Sequence, residues 1–477
     1  MKLAQILLVL LTSIFAQTSF AACELFTDLE KPISDKDANR IACLRESHFL
    51  LRTPTKKTVE EIVAGAKSDE AQILPQSRLH CRYFYRYQNG ASNKFRCVRT
   101  DDKNVMMSEK GQVVPEAAAI KDVLIAGKLE EDVMVRKDGS VITFTTKKGE
   151  VKPMIADVLK VRFKVSQEGL KNQTELNEWR HREAYTSSVA TRLAWMMGFP
   201  SENYYPVNEV VCFGCDTDPW KNGLEPQLVP VAKTSVFAGA SIERKFEGKR
   251  IMKAFTSNPK LGKTFVNTPW RWDEYITNFK KLTALQQHEI QVLALFINLV
   301  HTVEERGSQH VLLCEDANVV KSADGLKNLC NSPIAGTHDL GSAFGNRDIK
   351  FVKNKNHPRG DYASYKALNM FADANCTLTA QPGKGPNKDL PGLKTVTEQA
   401  RRDFVTRLDL VSRQDLATIL QVSNFHDVDT PFKKLVEKQT ALKGDALNAK
   451  VNELWTDLIY SKMDQFRKMQ CSNSSPI

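Results

Sequence analysis

The chain has 477 residues, with 67 Lys and Arg against 56 Asp and Glu and a formal net charge of +11; the length predicts about three structural units and excludes a single small domain. Hydrophobic residues at 42% and charged residues at 26% are ordinary globular proportions, which argue against wholesale disorder and against a many-span membrane protein.

The first residues read as an export signal. Lys2 supplies the positive end, Ile6 to Phe15 is an apolar run too short to span a bilayer, and Ser19, Ala21 and Ala22 are small residues of the kind found at a cleavage site. Cleavage after Ala22 leaves Cys23 first. A cysteine there invites lipidation, the one route by which a membrane enters as a partner, although Phe20 stands where a lipoprotein signal usually has Leu. The cysteine count argues the other way. Ten cysteines can close five disulfides in an oxidising compartment, whereas a lipidated Cys23 leaves nine. Pairing each cysteine with its sequence neighbour gives Cys23–Cys43, Cys81–Cys97, Cys212–Cys215, Cys314–Cys330 and Cys376–Cys471, though sequence does not fix connectivity. The expectation is a periplasmic or secreted protein.

Residues 23–130 hold irregular polar stretches and one hairpin: Tyr83, Tyr85 and Tyr87 alternate with polar residues, Asn89-Gly90 supplies the turn, and Cys81 and Cys97 flank it as a staple. Across 131–270 the pattern turns to strands at Val133–Val135, Val141–Phe144 and Val158–Val165, separated by turns at Asp138-Gly139 and Lys148-Gly149. In the last strand Leu159, Val161, Phe163 and Val165 share one face, and Lys160, Arg162 and Lys164 the other. A helix follows over 173–197, opened by Asn172 with Glu175 in a capping-box-like start and closed by Gly198 and Pro200; Val189, Leu193 and Met196 form its inward stripe. Further strands are predicted at Tyr204–Cys212 and Leu228–Ala240. Cys212-Phe-Gly-Cys215 fits a structural disulfide or tight turn, a redox pair, or half of a zinc site. Residues 271–477 become mainly helical. His288–Val300 is apolar almost all round, as a helix in the middle of a domain is, and two amphipathic helices are expected near 396–421 and 432–464.

A small sheet with a lysine-bearing strand, then a helix, then a larger helical unit is the order of a two-lobed kinase, so the expected fold class is α+β. The runs His301-Thr-Val-Glu-Glu-Arg-Gly-Ser-Gln-His-Val-Leu-Leu-Cys314 and His338-Asp-Leu-Gly-Ser-Ala-Phe-Gly345 resemble an exported bacterial group with a protein-kinase-like fold, and more remotely the HipA and CotH-type atypical kinases. Glu183 to Gly198 resembles the first helix of that group. The resemblance covers roughly 155–425 and implies a small lobe over 131–270, a helical large lobe over 271–477, and an additional disulfide-stapled region before them.

Phosphoryl transfer needs a cation on the nucleotide phosphates, a carboxylate to hold that cation, a metal-binding carboxylate and a group to orient the acceptor hydroxyl. The resemblance implies Lys160 or Lys164 as the cation, Glu183 as its partner, and Asp339 as the ligand of Mg2+ carried with ATP, with Gly341 letting the backbone turn beside the phosphates. In the acceptor loop Glu304 stands where the pattern usually has Asp and Arg306 near its Lys. Gln309 or His310 falls at the second metal ligand. His301 is either a catalytic base or a buried histidine closing its helix. The first reading is therefore an exported kinase-like enzyme transferring a phosphoryl or nucleotidyl group to an unidentified acceptor. The longer Glu304 displaces the acceptor from the usual geometry, which opens a second reading: a pseudokinase serving as a binding module in the cell envelope, with nucleotide scarce outside the cytoplasm.

Other motifs fail. Gly262-Lys-Thr264 ends like a phosphate-binding loop, but Ser257 and Pro259 break it. There is no Gly-Xaa-Ser-Xaa-Gly elbow and no HExxH helix. Basic clusters at Arg244–Lys253 and Arg347–Arg359 read as solvated faces, and aromatic residues are too sparse among them for nucleic-acid recognition.

Overall fold

A computed structural model describes residues 23–25, 38–51, 54–66, 73–75, 77–83, 94–108, 123–128, 131–136, 140–146, 149–163, 178–216, 219, 233–244, 249–251, 254–258, 262–266, 270, 272–302, 310–337, 340–345, 360–380 and 393–472. The architecture is mixed α+β.

Five strands close into a barrel: β1 (Arg78–Tyr83), β2 (Lys94–Thr100), β3 (Val158–Arg162), β4 (Asn203–Phe213) and β5 (Thr234–Arg244), in the order β5-β3-β2-β1-β4 with β4 returning to β5. The β1–β4 pair is parallel and the other four are antiparallel. Closure leaves none of these strands with an unpaired edge. Alternation in β3 sends Leu159 and Val161 inward, as the sequence pattern implies. There they join Phe95, Phe163 and Phe237, whose ring centroids lie 4.8–5.4 Å apart.

The paired strands β4 and β5 keep one register throughout, yet their inward residues change parity along the way, from Val210 and Cys212 to Tyr205 and Val207, and from Phe237 to Ala240 and Ile242. The change occurs at Gly239, whose φ of +60° is a conformation glycine adopts without a steric cost. Beyond it, Glu243 and Ser241 face outward on the same side as Lys160 and Arg162, their register partners.

The boundary expected at residue 130 crosses the barrel, because β1 and β2 come from before it and β3 to β5 from after it. The segment before 130 is not a unit of its own. Its first residues, Cys23–Glu24, pair instead with Asn328–Cys330 in the helical half.

One helix joins the two halves: α1 (Glu178–Met196). Its expected start near 173 lies outside the described residues. Val189, Leu193 and Met196 are buried in the large core, as the inward stripe requires. The core is centred on α2 (Ala284–Val300), in which every residue from Glu289 to Val300 is buried. Thr283 caps its start by accepting the Gln286 N–H, and His301 closes it in a left-handed conformation at φ 49°. After α2 come the antiparallel strands β6 (His310–Cys314) and β7 (Ile334–Thr337).

The carboxy-terminal part holds four helices where the sequence pattern suggested two: α3 (Glu398–Leu408), α4 (Arg413–Val422), α5 (Thr430–Thr440) and α6 (Gly444–Lys468). The first break is a capping box, in which Ser412 accepts the Asp415 N–H and Asp415 accepts the Ser412 N–H. The second follows Ala441, which stops α5 in a left-handed conformation.

All five sequence-neighbour disulfides are present and no cysteine is free. The Cys212–Cys215 sulfurs bond to each other, so this pair is a closed staple at the end of β4 and not half of a zinc site. The lipidation reading is corrected here: the Cys23 sulfur is bonded to Cys43, and a sulfur in a disulfide has no valence for a lipid thioether. Among the described residues no helix is long and apolar enough to cross a membrane.

Candidate functional site

The outward face of β3 carries Lys160 and Arg162. Arg162 is 1% exposed, and a buried guanidinium is tolerated only where carboxylates and acceptors meet it. It bonds Glu183 Oε1 of α1 at 2.7 Å, Glu243 Oε2 of β5 at 3.1 Å and the Tyr204 hydroxyl of β4 at 2.8 Å. Lys160 makes a very short ion pair to the other oxygen of Glu243. The helix carboxylate Glu183 therefore meets the strand through Arg162, while the described partner of Lys160 is Glu243. Arginine suits the position because its planar fork addresses several acceptors at once, which an ammonium on a flexible stem does less well.

On its other side Glu183 lies against the Leu340–Ser342 turn. A Cβ built on Gly341 would stand 2.2 Å from Glu183 Cγ, so no larger residue fits at 341 without displacing the carboxylate. One turn along α1, the Thr186 hydroxyl donates to the Gly341 carbonyl. Arg182 reaches the Gly360 carbonyl at 3.3 Å and Asp429 at 3.4 Å. Burial pushes the Asp429 carboxyl above the usual range even though Arg182 pulls it down. The first turns of α1 thus hold a strand cation, the Gly341 turn and the helical half together.

The same turn is tied to α2. The Phe344 N–H donates to the Val300 carbonyl at 2.7 Å, directly before His301. His301 is 1% exposed, and its backbone ends the helix. His310 and Thr337 are register partners at the ends of β6 and β7, and His310 stacks on Trp270 with centroids 4.0 Å apart.

Of the residues singled out by sequence, Lys160, Glu183, His301, His310 and Gly341 are described, and of these Glu183 and Gly341 are in contact. Lys164, Glu304, Arg306, Gln309 and Asp339 lie outside the described residues. Sequence reasoning passed over three members of the site. Arg162 stood on the lysine face and was not chosen, Glu243 follows the parity change at Gly239, and Tyr204 carries no chemical signature. Among the described residues no group of His, Cys, Asp and Glu forms a metal-binding set.

No family model matches the chain, and no curated protein matches it. Among solved structures, a chain of the Shewanella oneidensis MR-1 toxin–antitoxin complex of HipA, HipB and its operator DNA is similar, at 9% identity over 92% of this chain and 82% of that chain, with a TM-score of 0.23. At that score the likeness carries no argument about fold or activity.

Proposed function

We propose that the chain is an exported, kinase-like phosphotransferase with the barrel as its small lobe and the helical half as its large lobe, using ATP and Mg2+. The observation behind this reading is the convergence on Glu183: its carboxylate bonds the β3 cation Arg162 while its stem rests on Gly341 of the Asp-Leu-Gly turn. A strand cation, a helix carboxylate and the glycine two residues after the expected metal ligand Asp339 correspond to parts that phosphoryl transfer uses for positioning and charge.

In this proposal Lys160 or Lys164 contacts the phosphates, and Glu183, fixed by Arg162, holds the strand and turn in register. Asp339 and Gln309 would hold magnesium, whose chemistry is to neutralise charge between the phosphates. Glu304 accepts the proton of the acceptor hydroxyl as that oxygen bonds the terminal phosphorus and ADP departs. Arg306 and His301 are assigned to the same step.

The test is a thermal melt of the full chain with nucleotides and magnesium. Nucleotide at 100 times its Kd stabilises by about 2.7 kcal/mol if it binds only the folded state. Asp339→Asn abolishes the magnesium-dependent part while leaving the unliganded melt unchanged. A wild-type chain that responds to no nucleotide with any divalent metal overturns the proposal. It would favour the second reading, a pseudokinase that binds envelope partners. One observation supports that reading: Lys160 and Arg162 are already bonded to carboxylates.

A further inference from the structure

Further along α1 than Glu183 stands another buried guanidinium, Arg192, which is 3% exposed. Its partners are neutral: Nη1 donates to the Tyr204 carbonyl and Nη2 to the Val63 carbonyl, each at 3.1 Å. Val63 belongs to the short helix Val59–Ala64, so the fork ties that helix to α1 and to the start of β4. A Cβ built on Gly65 would lie 3.2 Å from both terminal nitrogens, so the fork is packed closely against that turn. The remaining donor, Nε–H, is buried without a hydrogen-bond partner. Among the described residues no carboxylate pairs with this guanidinium, in contrast to Arg162. Burial pushes its pKa down to about 10, which still leaves it charged at neutral pH.

Arg192 lines a small recess together with Ala66, Thr191, Trp195 and Asn203, and the recess admits one body about the size of a water molecule. Among the described residues no acidic side chain lines it, and Lys57 lies over the Trp195 ring at 5.0 Å, a second positive charge beside it. A water in the recess would satisfy the Nε–H and leave the charge unmet. A monatomic anion would satisfy both, and an unmatched buried charge costs more than an unmade hydrogen bond. We propose that the recess binds a chloride ion, held by the Arg192 Nε–H, where α1, β4 and the helix Val59–Ala64 meet. One guanidinium matches one negative charge, and a body of that size excludes phosphate and sulfate. The site is separate from the proposed phosphotransferase centre and does not depend on it.

The test is the thermal melt of the full chain in sodium chloride, bromide, formate and gluconate at one ionic strength, gluconate being too large to enter. General salt effects act on every variant alike, so the chloride–gluconate difference in midpoint is compared between wild type and two variants. Ala66→Leu fills the recess and leaves the bonds of Arg192 in place; Arg192→Met removes the donor. The wild-type difference exceeds that of either variant by a few degrees, and bromide behaves as chloride does. Arg192→Met also loses two carbonyl bonds, and Ala66→Leu decides the matter should it fail to fold. Crystals soaked in sodium bromide give an anomalous scattering peak beside Arg192 Nε.

An equal chloride–gluconate difference in wild type and Ala66→Leu, or bromide-soaked crystals with no peak at Arg192, overturns the inference and leaves a water in the recess. A larger shift in formate than in chloride overturns the halide assignment in favour of a carboxylate group.

Discussion

Two buried cations, one from each half of the molecule, are satisfied in opposite ways. In the barrel, Arg162 is met by two carboxylates and a phenol. In the helical half, Lys462 of α6 is 3% exposed and donates to the carbonyls of Lys366, at 2.9 Å, and Leu368. Its ammonium also lies 5.9 Å from the centre of the Tyr365 ring. Neutral partners cannot compensate for lost water, so burial lowers the Lys462 pKa. The contrast separates two uses of a buried charge. Lys462 ties α6 to the carbonyls at the end of the short helix Tyr362–Lys366, whereas Arg162 joins elements from distant parts of the chain.

Removing each cation should expose that difference. Arg162→Met leaves Glu183 and Glu243 buried beside an apolar side chain, and breaking a buried ion pair from one side costs about 3–5 kcal/mol. Lys462→Met leaves carbonyl oxygens short of a donor, for about 1–3 kcal/mol. Urea unfolding of the two variants measures both, and a larger loss for Lys462→Met would reverse the comparison.

A third cation sharpens it at the surface. His48 pairs with Glu289 of α2 at 3.5 Å, with its side chain 37% exposed, and the hydrogen bond to Glu289 raises its pKa above the ordinary 6.5. The folded state therefore holds that proton more tightly. Its contribution is complete below about pH 6.5 and is lost as pH rises through the higher folded value. Exposure keeps it within the ~0.2–1 kcal/mol of a surface pair. Urea midpoints across pH 6–8 should fall more for wild type than for His48→Gln; parallel curves would show that the pair contributes nothing.

Much of this was legible in local pattern. The alternation in Val158–Arg162 announced an apolar and a basic face, the all-apolar run after His288 announced a central helix, and neighbouring cysteines did pair. What escaped had non-local causes. The barrel closes through a parallel pairing of β1 with β4, strands more than a hundred residues apart, and no hairpin signal marks such a contact. Glu243 was hidden because the parity of β5 changes at Gly239, so counting alternate residues from Phe237 misassigns its face. The choice of a lysine for Glu183 followed the usual chemistry of a phosphate site, while geometry selected the longer, forked Arg162. The Ser412–Asp415 cap was readable as a helix start, but Ala441 gives no sign that a helix ends there.

The disulfide pattern has a consequence for how the chain matures. Each cysteine is bonded to the next one along the chain, at separations of 20, 16, 3, 16 and 95 residues. A polypeptide that emerges amino end first offers its thiols to an oxidant in that same order. If each newly exposed thiol joins the one waiting, the native set results from left to right with nothing to undo. Such a chain can be oxidised vectorially by a donor of disulfides and makes little demand on an isomerase, whose task is to rearrange mispaired bonds. Only the Cys376–Cys471 bond must wait, until the last helix has been delivered.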